Sequence, residues 1–242
     1  MSKQSEGMII VTGASSGIGL ATSQLLLEQG YQVLGIARDF SKLAYSHPQF
    51  HQHRLDLAQC DSLAGKMQAL LAEISPPIRG LVSCAGVAKV GYLEQLSVAD
   101  IQLVMNTNFL SNAIVSRALL PRLKTQSQNS DIVFIGSEAA LRGSREGSIY
   151  CASKFALRGF SQALREECGK SPVRVGLVNP GAVRTNFFDD LHYEPGEGAA
   201  NAIAAEDVAR IVLNIIQTRP GTVWDEVNLS PQSRVWQRKG RK

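Results

Sequence analysis

The chain has 242 residues, of which 44% are hydrophobic and 19% are charged. This length predicts one large domain, and the hydrophobic share is ample for a core, which excludes disordered and fibrous proteins. No apolar run approaches the ~20 residues of a membrane-spanning helix. The polar start of the chain indicates no export signal. We therefore expect a cytoplasmic protein that has no membrane partner.

The formal net charge at pH 7 is +4, but its distribution argues against a nucleic-acid partner. Residues 231–242 contain no acid, and without them the chain is close to neutral, so no basic surface is expected on the folded domain. We predict a domain over residues 1–230 and a solvated basic tail over residues 231–242. The basic residues of this tail are Arg234, Arg238, Lys239, Arg241 and Lys242.

Cysteine and histidine spacing indicates reduced thiols and no metal site. The four cysteines show no Cys-x-x-Cys pair, which is typical of a cytosolic protein. His51 and His53 alternate on a candidate strand, with His47 nearby, but only Asp56 could complete a set of metal ligands. The cysteines are Cys60, Cys84, Cys151 and Cys168.

Short β-branched runs alternate with segments of helical periodicity along the whole chain. The strand candidates are residues 8–12, 32–37, 80–84, 132–136, 174–178 and 222–228, with 51–57 a weaker one. Helical spacing covers residues 18–29 and about 60–73, 97–123, 150–168 and 205–217. This alternation predicts a doubly wound, mostly parallel α/β sheet of about seven strands with helices on both faces. Residues 184–204, rich in Gly, Pro, Ala and Phe, are predicted to leave the sheet and form a lid.

The first strand runs directly into a glycine-rich turn, Thr12-Gly-Ala-Ser-Ser-Gly-Ile-Gly19. Glycines allow a close backbone approach, and the helix that follows presents free N–H groups and its positive dipole end. The turn therefore predicts a dinucleotide site. The alternative is a glycine-rich turn that holds no ligand.

The end of the second strand indicates which dinucleotide is bound. An NAD site usually carries an acidic residue there for the ribose 2′-hydroxyl, whereas this chain has Ala37-Arg38. A guanidinium can pair with a 2′-phosphate, and Ser15 and Ser16 could donate to the same group. We predict NADP rather than NAD. The alternative is that Arg38 is an ordinary surface residue beside Asp39. The missing acidic residue also argues against a methyltransferase, in which a carboxylate at this position would hold a ribose.

Tyr150 and Lys154 lie one helical turn apart, and Ser137 follows a buried strand thirteen positions earlier. Open α/β sheets bind ligands at this carboxyl edge. Together with the glycine turn, these residues resemble the short-chain dehydrogenase/reductase family, over about residues 8–229. The motifs that carry the resemblance are the turn 12–19, Cys84-Ala-Gly86, Asn108, Ser137, Tyr150-x-x-x-Lys154, and Asn179-Pro-Gly181 with Thr185.

The resemblance implies a single-domain Rossmann fold and hydride transfer between a nicotinamide and a carbonyl or alcohol group. Tyr150 would be the acid/base, helped by Lys154, which would favour the phenolate. Ser137 would hold the substrate oxygen. Asn108, which fits the family pattern better than Asn106, would anchor a water that relays protons to the lysine. The alternative is that Ser137 and Asn108 are buried caps and that Tyr150 and Lys154 form a surface pair.

The resemblance also assigns the cofactor contacts, with one departure from the family. The family usually has Asn-Asn-Ala-Gly after the fourth strand, whereas this chain has Ser83-Cys84-Ala85-Gly86, which leaves open whether the shorter Ser83 braces the neighbouring strand. The expected cofactor residues are Gly13, Ser15, Ser16, Gly17, Ile18, Gly19, Arg38, Asp56, Leu57, Ser83, Ala85, Gly86, Tyr150, Lys154, Pro180, Gly181, Val183 and Thr185.

The substrate is less well specified than the cofactor. An apolar or aromatic carbonyl compound is indicated by Leu141, Phe187 and Phe188, with Leu191 and Tyr193. A carboxylate on the substrate could instead be met by Arg142, Arg145 or Lys89. It is equally open that these side chains only pack the lid or face solvent. By analogy with the family, the helical segments 97–123 and 150–168 predict a homodimer or homotetramer. We expect an NADP-dependent carbonyl reductase or alcohol dehydrogenase acting on a small molecule. The alternative is a catalytically silent dinucleotide sensor or scaffold.

Overall fold

A sheet of seven parallel strands forms the centre of the molecule. The computed structural model describes residues 7–126 and 128–239. The sheet order is β3-β2-β1-β4-β5-β6-β8, so the direction of winding reverses between β1 and β4. Its strands are β1 Met8–Thr12, β2 Gln32–Ala37, β3 Phe50–Arg54, β4 Ile78–Ser83, β5 Ser130–Ile135, β6 Val173–Pro180 and β8 Glu226–Leu229. The prediction of a doubly wound α/β sheet is confirmed.

Five of the six α-helices in the described part of the chain cover the two faces of this sheet. One face packs against α2, α4 and α5, and the other against α1 and α6. Both faces are apolar because a parallel sheet with right-handed crossovers is buried on both sides. The helices are α1 Gly17–Glu28, α2 Cys60–Glu73, α3 Val98–Met105, α4 Ser111–Lys124, α5 Ser148–Cys168 and α6 Ala205–Gln217.

The predicted helical segment 97–123 is not one regular helix. A π-helical turn, Asn106–Leu110, joins α3 to α4, and α4 continues past Pro121 to Lys124. The turn buries Thr107 and Asn108. Such an inserted turn re-aims side chains along a helix, and it is frequent at functional sites.

Residues 231–239 are not a solvated tail, and this prediction is wrong for the part of the segment that the structure describes. Strand β9, Trp236–Arg238, pairs antiparallel with β7, Tyr193–Pro195, which lies inside the predicted lid. Two basic side chains of this segment form ion pairs, Arg234 with Glu138 and Lys239 with Glu194. Arg241 and Lys242 lie outside the described residues.

The remaining boundary differences are small. Strand β8 begins at Glu226, four residues later than predicted, and β3 ends at Arg54.

The four cysteines are unpaired thiols. Within the described residues, no helix combines the length and the apolarity needed to cross a membrane, and no cluster of His, Cys, Asp or Glu is arranged to hold a metal.

Candidate active site

The glycine-rich turn between β1 and α1 has a backbone conformation that favours glycine. Gly13 has φ +67° and Gly17 has φ +53°. A Cβ atom on Gly19 would lie 2.2 Å from the carbonyl oxygen of Gly13, so the helix starts directly against the turn. The first turn of α1 carries no acidic residue, and the Ser16 side chain makes no capping bond within the described structure. The free N–H groups and positive dipole of α1 therefore fit a pyrophosphate.

Thr12 connects this turn to the segment after β4. Its hydroxyl accepts hydrogen bonds from the backbone N–H groups of Cys84 and Ala85, each at 3.1 Å. The Ser83 hydroxyl lies 3.3 Å from that of Thr12 and also bonds the side-chain carbonyl of Asn112 on α4. Ser83 thus does brace its neighbours, through Asn112, a partner that the sequence motif did not indicate.

Arg38 lies at the carboxyl end of β2 with its guanidinium exposed. Arg54 Nε donates to the Arg38 carbonyl oxygen at 2.8 Å, which fixes the backbone there. Asp39 does not pair with Arg38: Ser41 donates two bonds to its carboxylate, and these bonds lower the pKa of Asp39. Arg38, Arg54, Lys66 and Asp56 line an open cleft of about 560 Å³. Asp56 accepts a bond from Ala58 N–H, and the neighbouring Leu57 is buried.

Ser137 follows β5 and is positioned by Asn179 at the end of β6. Asn179 Oδ1 accepts a 3.3 Å bond from the Ser137 N–H, and Asn179 Nδ2 donates to Glu226 and Asn228 on β8. Gly136 is required because a Cβ there would lie 2.1 Å from Asn179 Oδ1. The local motif Asn179-Pro-Gly181 does not indicate this role, because the partner of Asn179 lies 42 residues away along the chain.

Tyr150 and Lys154 lie on the first turns of α5 and face the same edge of the sheet as Ser137. Lys154 is buried, its Nζ donates to the Ile135 carbonyl oxygen at 3.0 Å, and it lies 5.9 Å from the centre of the Tyr150 ring. Burial lowers the pKa of Lys154 to about 8. Burial also raises the pKa of Tyr150 to about 12, although a hydrogen bond with Ser137 lowers it in part.

The expectation that Lys154 makes the Tyr150 phenolate favourable is therefore not met in the chain by itself. Desolvation disfavours the phenolate more strongly than the neighbouring hydroxyl favours it. At neutral pH the phenol keeps its proton, which is the form that a proton donor needs. Cys84 lies near Lys154, and burial raises the pKa of its thiol to about 12, so this thiol adds no charge to the site.

Asn108 in the π-helical turn reaches the same small space as Lys154. A Cβ atom on Gly86 would lie 3.5 Å from Asn108 Oδ1 and 3.7 Å from Lys154 Nζ. Asn108 is fully buried, exchanges two bonds with the Val87 backbone, and donates to the Ser153 hydroxyl at 3.0 Å. Asn106 instead donates to the Ala58 carbonyl oxygen. Of the two asparagines, Asn108 is the one the fold brings beside the lysine.

The segment after β6 closes over the glycine turn. The Gly181 N–H donates to Leu229 at the end of β8, so Pro180 and Gly181 stay at the sheet edge. Val183 forms a bridge with Ile203. A Cβ atom on Gly17 would lie 3.1 Å from Thr185 Cγ2, which brings Thr185 against the turn with Ser15, Ser16 and Ile18.

The structure separates the predicted substrate residues. The Phe187 ring lies 6.0 Å from that of Tyr150, tilted by 53°, and remains 36% exposed, whereas Phe188 is buried within the predicted lid. Leu141 is exposed on the turn after Ser137. Two of the three candidate cations are engaged: Lys89 pairs with Asp100, and Arg145 donates to the Tyr92 hydroxyl.

We expect Gly19→Ala to weaken NADPH binding by at least about tenfold, because the added methyl group meets backbone atoms that no side-chain movement can relieve. Fluorescence titration with NADPH measures the effect. Gly65→Ala in α2 is the matched control, since a Cβ there meets nothing within 4 Å. It should leave the dissociation constant unchanged and stabilise the chain by up to about 1 kcal/mol. Equal NADPH affinities for both variants would contradict this account of the turn.

The lowered pKa of Lys154 predicts a pH-dependent stability. Between pH 8 and pH 10 the unfolded chain holds this proton and the folded chain releases it, so the free energy of unfolding rises with pH. Relative to Lys154→Met, the wild type should gain about 2 kcal/mol over this range. Urea unfolding at several pH values measures it, with Lys170→Met, a change on an exposed lysine, as the control. Parallel profiles for wild type and Lys154→Met would refute the assignment.

Comparison with known proteins agrees with this geometry. The family model described as short chain dehydrogenase matches residues 7–195. The chain is 32% identical over 191 residues to a human 3-oxoacyl-(acyl-carrier-protein) reductase, covering 76% of this chain and 78% of the relative. It is 30% identical over 253 residues to the sepiapterin reductase of Chlorobaculum tepidum, covering 93% of this chain and 96% of the relative.

A solved structure shares the fold. It is an alcohol dehydrogenase from the archaeon Thermococcus sibiricus complexed with 5-hydroxy-NADP, with a TM-score of 0.82 and 24% identity, covering 94% of this chain and 98% of that one. The family match extends over most of the chain and includes the glycine turn, Ser137, Tyr150 and Lys154. The chain therefore belongs to the short-chain dehydrogenase/reductase family of NAD(P)-dependent oxidoreductases that act on CH–OH groups.

Proposed function

We propose that the protein is an NADP(H)-dependent carbonyl reductase or alcohol dehydrogenase that uses Tyr150 as its acid/base. The observation that carries the proposal is the group formed by Tyr150, Ser137 and the buried Lys154 at the same sheet edge as the glycine turn. A silent sensor would have no need to bury an ammonium group beside a phenol, because such burial costs stability.

The chemistry follows from the state of each side chain. A bound nicotinamide cofactor supplies the hydride to the carbonyl carbon, or accepts it from the alcohol. Ser137 donates a hydrogen bond to the carbonyl oxygen and holds it near the phenol. Tyr150 gives its proton to that oxygen as negative charge develops, so an alcohol leaves and a phenolate remains.

Lys154 then returns a proton to the phenolate. Its pKa of about 8 suits it to give and take a proton near neutral pH. A water in the space shared by Asn108 and Lys154 would connect the lysine to solvent. In the oxidation direction Tyr150 must first lose its proton, and its raised pKa makes that direction favour alkaline pH.

NADP preference is supported by the charge at the end of β2. The Arg38 side chain forms no hydrogen bond or ion pair within residues 7–126 and 128–239, so it is free to bind a phosphate. Arg54 and Lys66 line the same cleft and add positive charge. A 2′-phosphate would find three cations in this cleft, whose lining also includes the acids Asp56 and Glu73.

An apolar or aromatic carbonyl compound is the favoured substrate. The partly exposed ring of Phe187 beside Tyr150 offers an apolar surface next to the phenol. Lys89 and Arg145, which could have met a carboxylate, already have partners. Assembly into a homodimer or homotetramer through α4 and α5, and a cytoplasmic location, stay predictions.

We expect Tyr150→Phe to lower kcat by at least about a thousandfold, because proton transfer loses its donor, while the Kd for NADPH stays within a few-fold. Tyr45→Phe, on the loop between β2 and β3, makes the same chemical change at a tyrosine that packs on Phe50, and is the control, with kcat within about threefold of wild type. Activity is measured with NADPH and NADH over ketones, aldehydes, quinones and hydroxysteroids. Near-normal turnover by Tyr150→Phe would refute the mechanism; tight NADPH binding without turnover of any compound by the wild type would favour a sensor.

Arg38→Asp should move cofactor selectivity towards NADH. The carboxylate would repel the 2′-phosphate and accept a bond from the 2′-hydroxyl, so the ratio of kcat/KM for NADPH over NADH should fall by about 100-fold. Arg142→Asp places the same charge change on the turn after Ser137 and should leave the ratio unchanged. A ratio that stays at its wild-type value in Arg38→Asp would remove Arg38 from cofactor recognition.

A further inference from the structure

Residues 231–239, here called the C-terminal segment, bond to the lid (residues 184–204) along most of its length. β9 pairs with β7 so that Pro195 lies opposite Trp236 and Tyr193 opposite Arg238. On either side of this ladder, Ser233 N–H donates to the Ala200 carbonyl oxygen and Lys239 N–H to that of His192, each at 2.9 Å. The C-terminal segment therefore supplies backbone hydrogen bonds to residues 192–200 of the lid, in addition to the bonds that the lid makes within its own turns.

The side chain of Lys239 extends these contacts to the tip of the lid. Its Nζ donates to the carbonyl oxygens of Phe188 and Asp189, and it lies 3.7 Å from the Glu194 carboxylate. These carbonyls end the short helical turn Asn186–Phe188 that carries Phe187. The ammonium thus satisfies acceptors at the carboxyl end of that turn, where positive charge is favourable.

Trp236 begins a continuous chain of aromatic rings that ends at Tyr150. Its ring lies 5.2 Å from that of Tyr193 and 5.8 Å from that of Phe188. Phe188 contacts Phe187 at 5.5 Å, and Phe187 contacts Tyr150 at 6.0 Å. Each pair is tilted or edge-to-face, the arrangement in which aromatic rings attract one another. The position of Phe187 over Tyr150 is thereby tied to Trp236.

The C-terminal segment also reaches the turn that holds Ser137. Arg234 lies 3.0 Å from the carboxylate of Glu138, the residue that follows Ser137. The segment accordingly contacts both the lid and the turn that holds Ser137.

We propose that the C-terminal segment is part of the substrate site, and that Trp236 is the positioning residue that holds Phe187 beside Tyr150. An apolar group of the substrate would pack on the exposed face of Phe187, so its affinity would depend on a residue that does not touch it. This inference rests on the proposed function, because it takes the ring beside Tyr150 to be the surface that substrate meets.

The test compares the two tryptophans of the chain. Trp236→Ala should raise the KM for an aromatic ketone about tenfold, leave kcat within about twofold, and leave the Kd for NADPH unchanged. Trp236→Phe keeps a ring for Phe188 and Tyr193 and should restore KM to within about threefold of wild type. Trp224→Ala removes another exposed tryptophan, which lies before the amino end of β8 and donates to the Thr218 hydroxyl, and should change neither KM nor kcat.

The proposal would be overturned if Trp236→Ala kept the wild-type KM, or if Trp224→Ala raised KM as much. A KM that Trp236→Phe fails to restore would also count against it. Circular dichroism and thermal unfolding of each variant identify any general loss of folding. Lys239→Met, which removes the side-chain bonds to Phe188 and Asp189, provides a second variant that should raise KM in the same direction.

A measurement that needs no turnover separates this proposal from the proposed function. Limited chymotrypsin digestion, with sites mapped by mass spectrometry, should cut Trp236→Ala at residues 187–193 at least about fivefold faster than wild type or Trp224→Ala. Faster cutting in a protein that reduces no carbonyl compound would refute the function and leave the positioning role intact. Unchanged cutting together with normal KM in an active enzyme would refute the positioning role alone.

Discussion

The buried ammonium group of Lys154 is the constraint around which the site is organised. Its hydrogen bond to the Ile135 carbonyl oxygen fixes the start of α5 against the end of β5. Because Tyr150 lies one turn earlier on α5, and Ser137 two residues beyond Ile135, that one bond aligns all three side chains. An ammonium has three donors, and burial without partners for all of them lowers its pKa.

Polar side chains hold the loops at the carboxyl edge of the sheet, where strand pairing has ended. Thr12 satisfies two backbone N–H groups after β4, Asn108 binds both backbone groups of Val87, and Asn179 binds the N–H of Ser137. Buried backbone groups need such partners, and a hydroxyl or carboxamide supplies them where no neighbouring strand can. These contacts hold the loops after β4 and β5 in place at the carboxyl edge of the sheet.

The lid is stabilised by different interactions from those at the carboxyl edge of the sheet. Its apolar contacts come from Phe188, Tyr193 and Trp236, and its backbone bonds come largely from β9. The proposed catalytic groups lie on α5 and on the turn after β5, whereas the lid and the C-terminal segment contact each other outside the main sheet. Substrate preference could thus change through these two segments while the proton-transfer groups keep their geometry.

The sequence by itself determined the alternating elements, the parallel sheet, the glycine turn and the positions of Ser137, Tyr150 and Lys154. These follow from local periodicity, steric limits on φ and short spacing along one helix, all of which act between near neighbours. The tertiary structure alone decided that residues 231–239 pair with β7, that Asn179 holds Ser137, and that burial raises the pKa of Tyr150. Strand pairing, long-range hydrogen bonds and desolvation depend on residues far apart in the chain, so no local pattern encodes them.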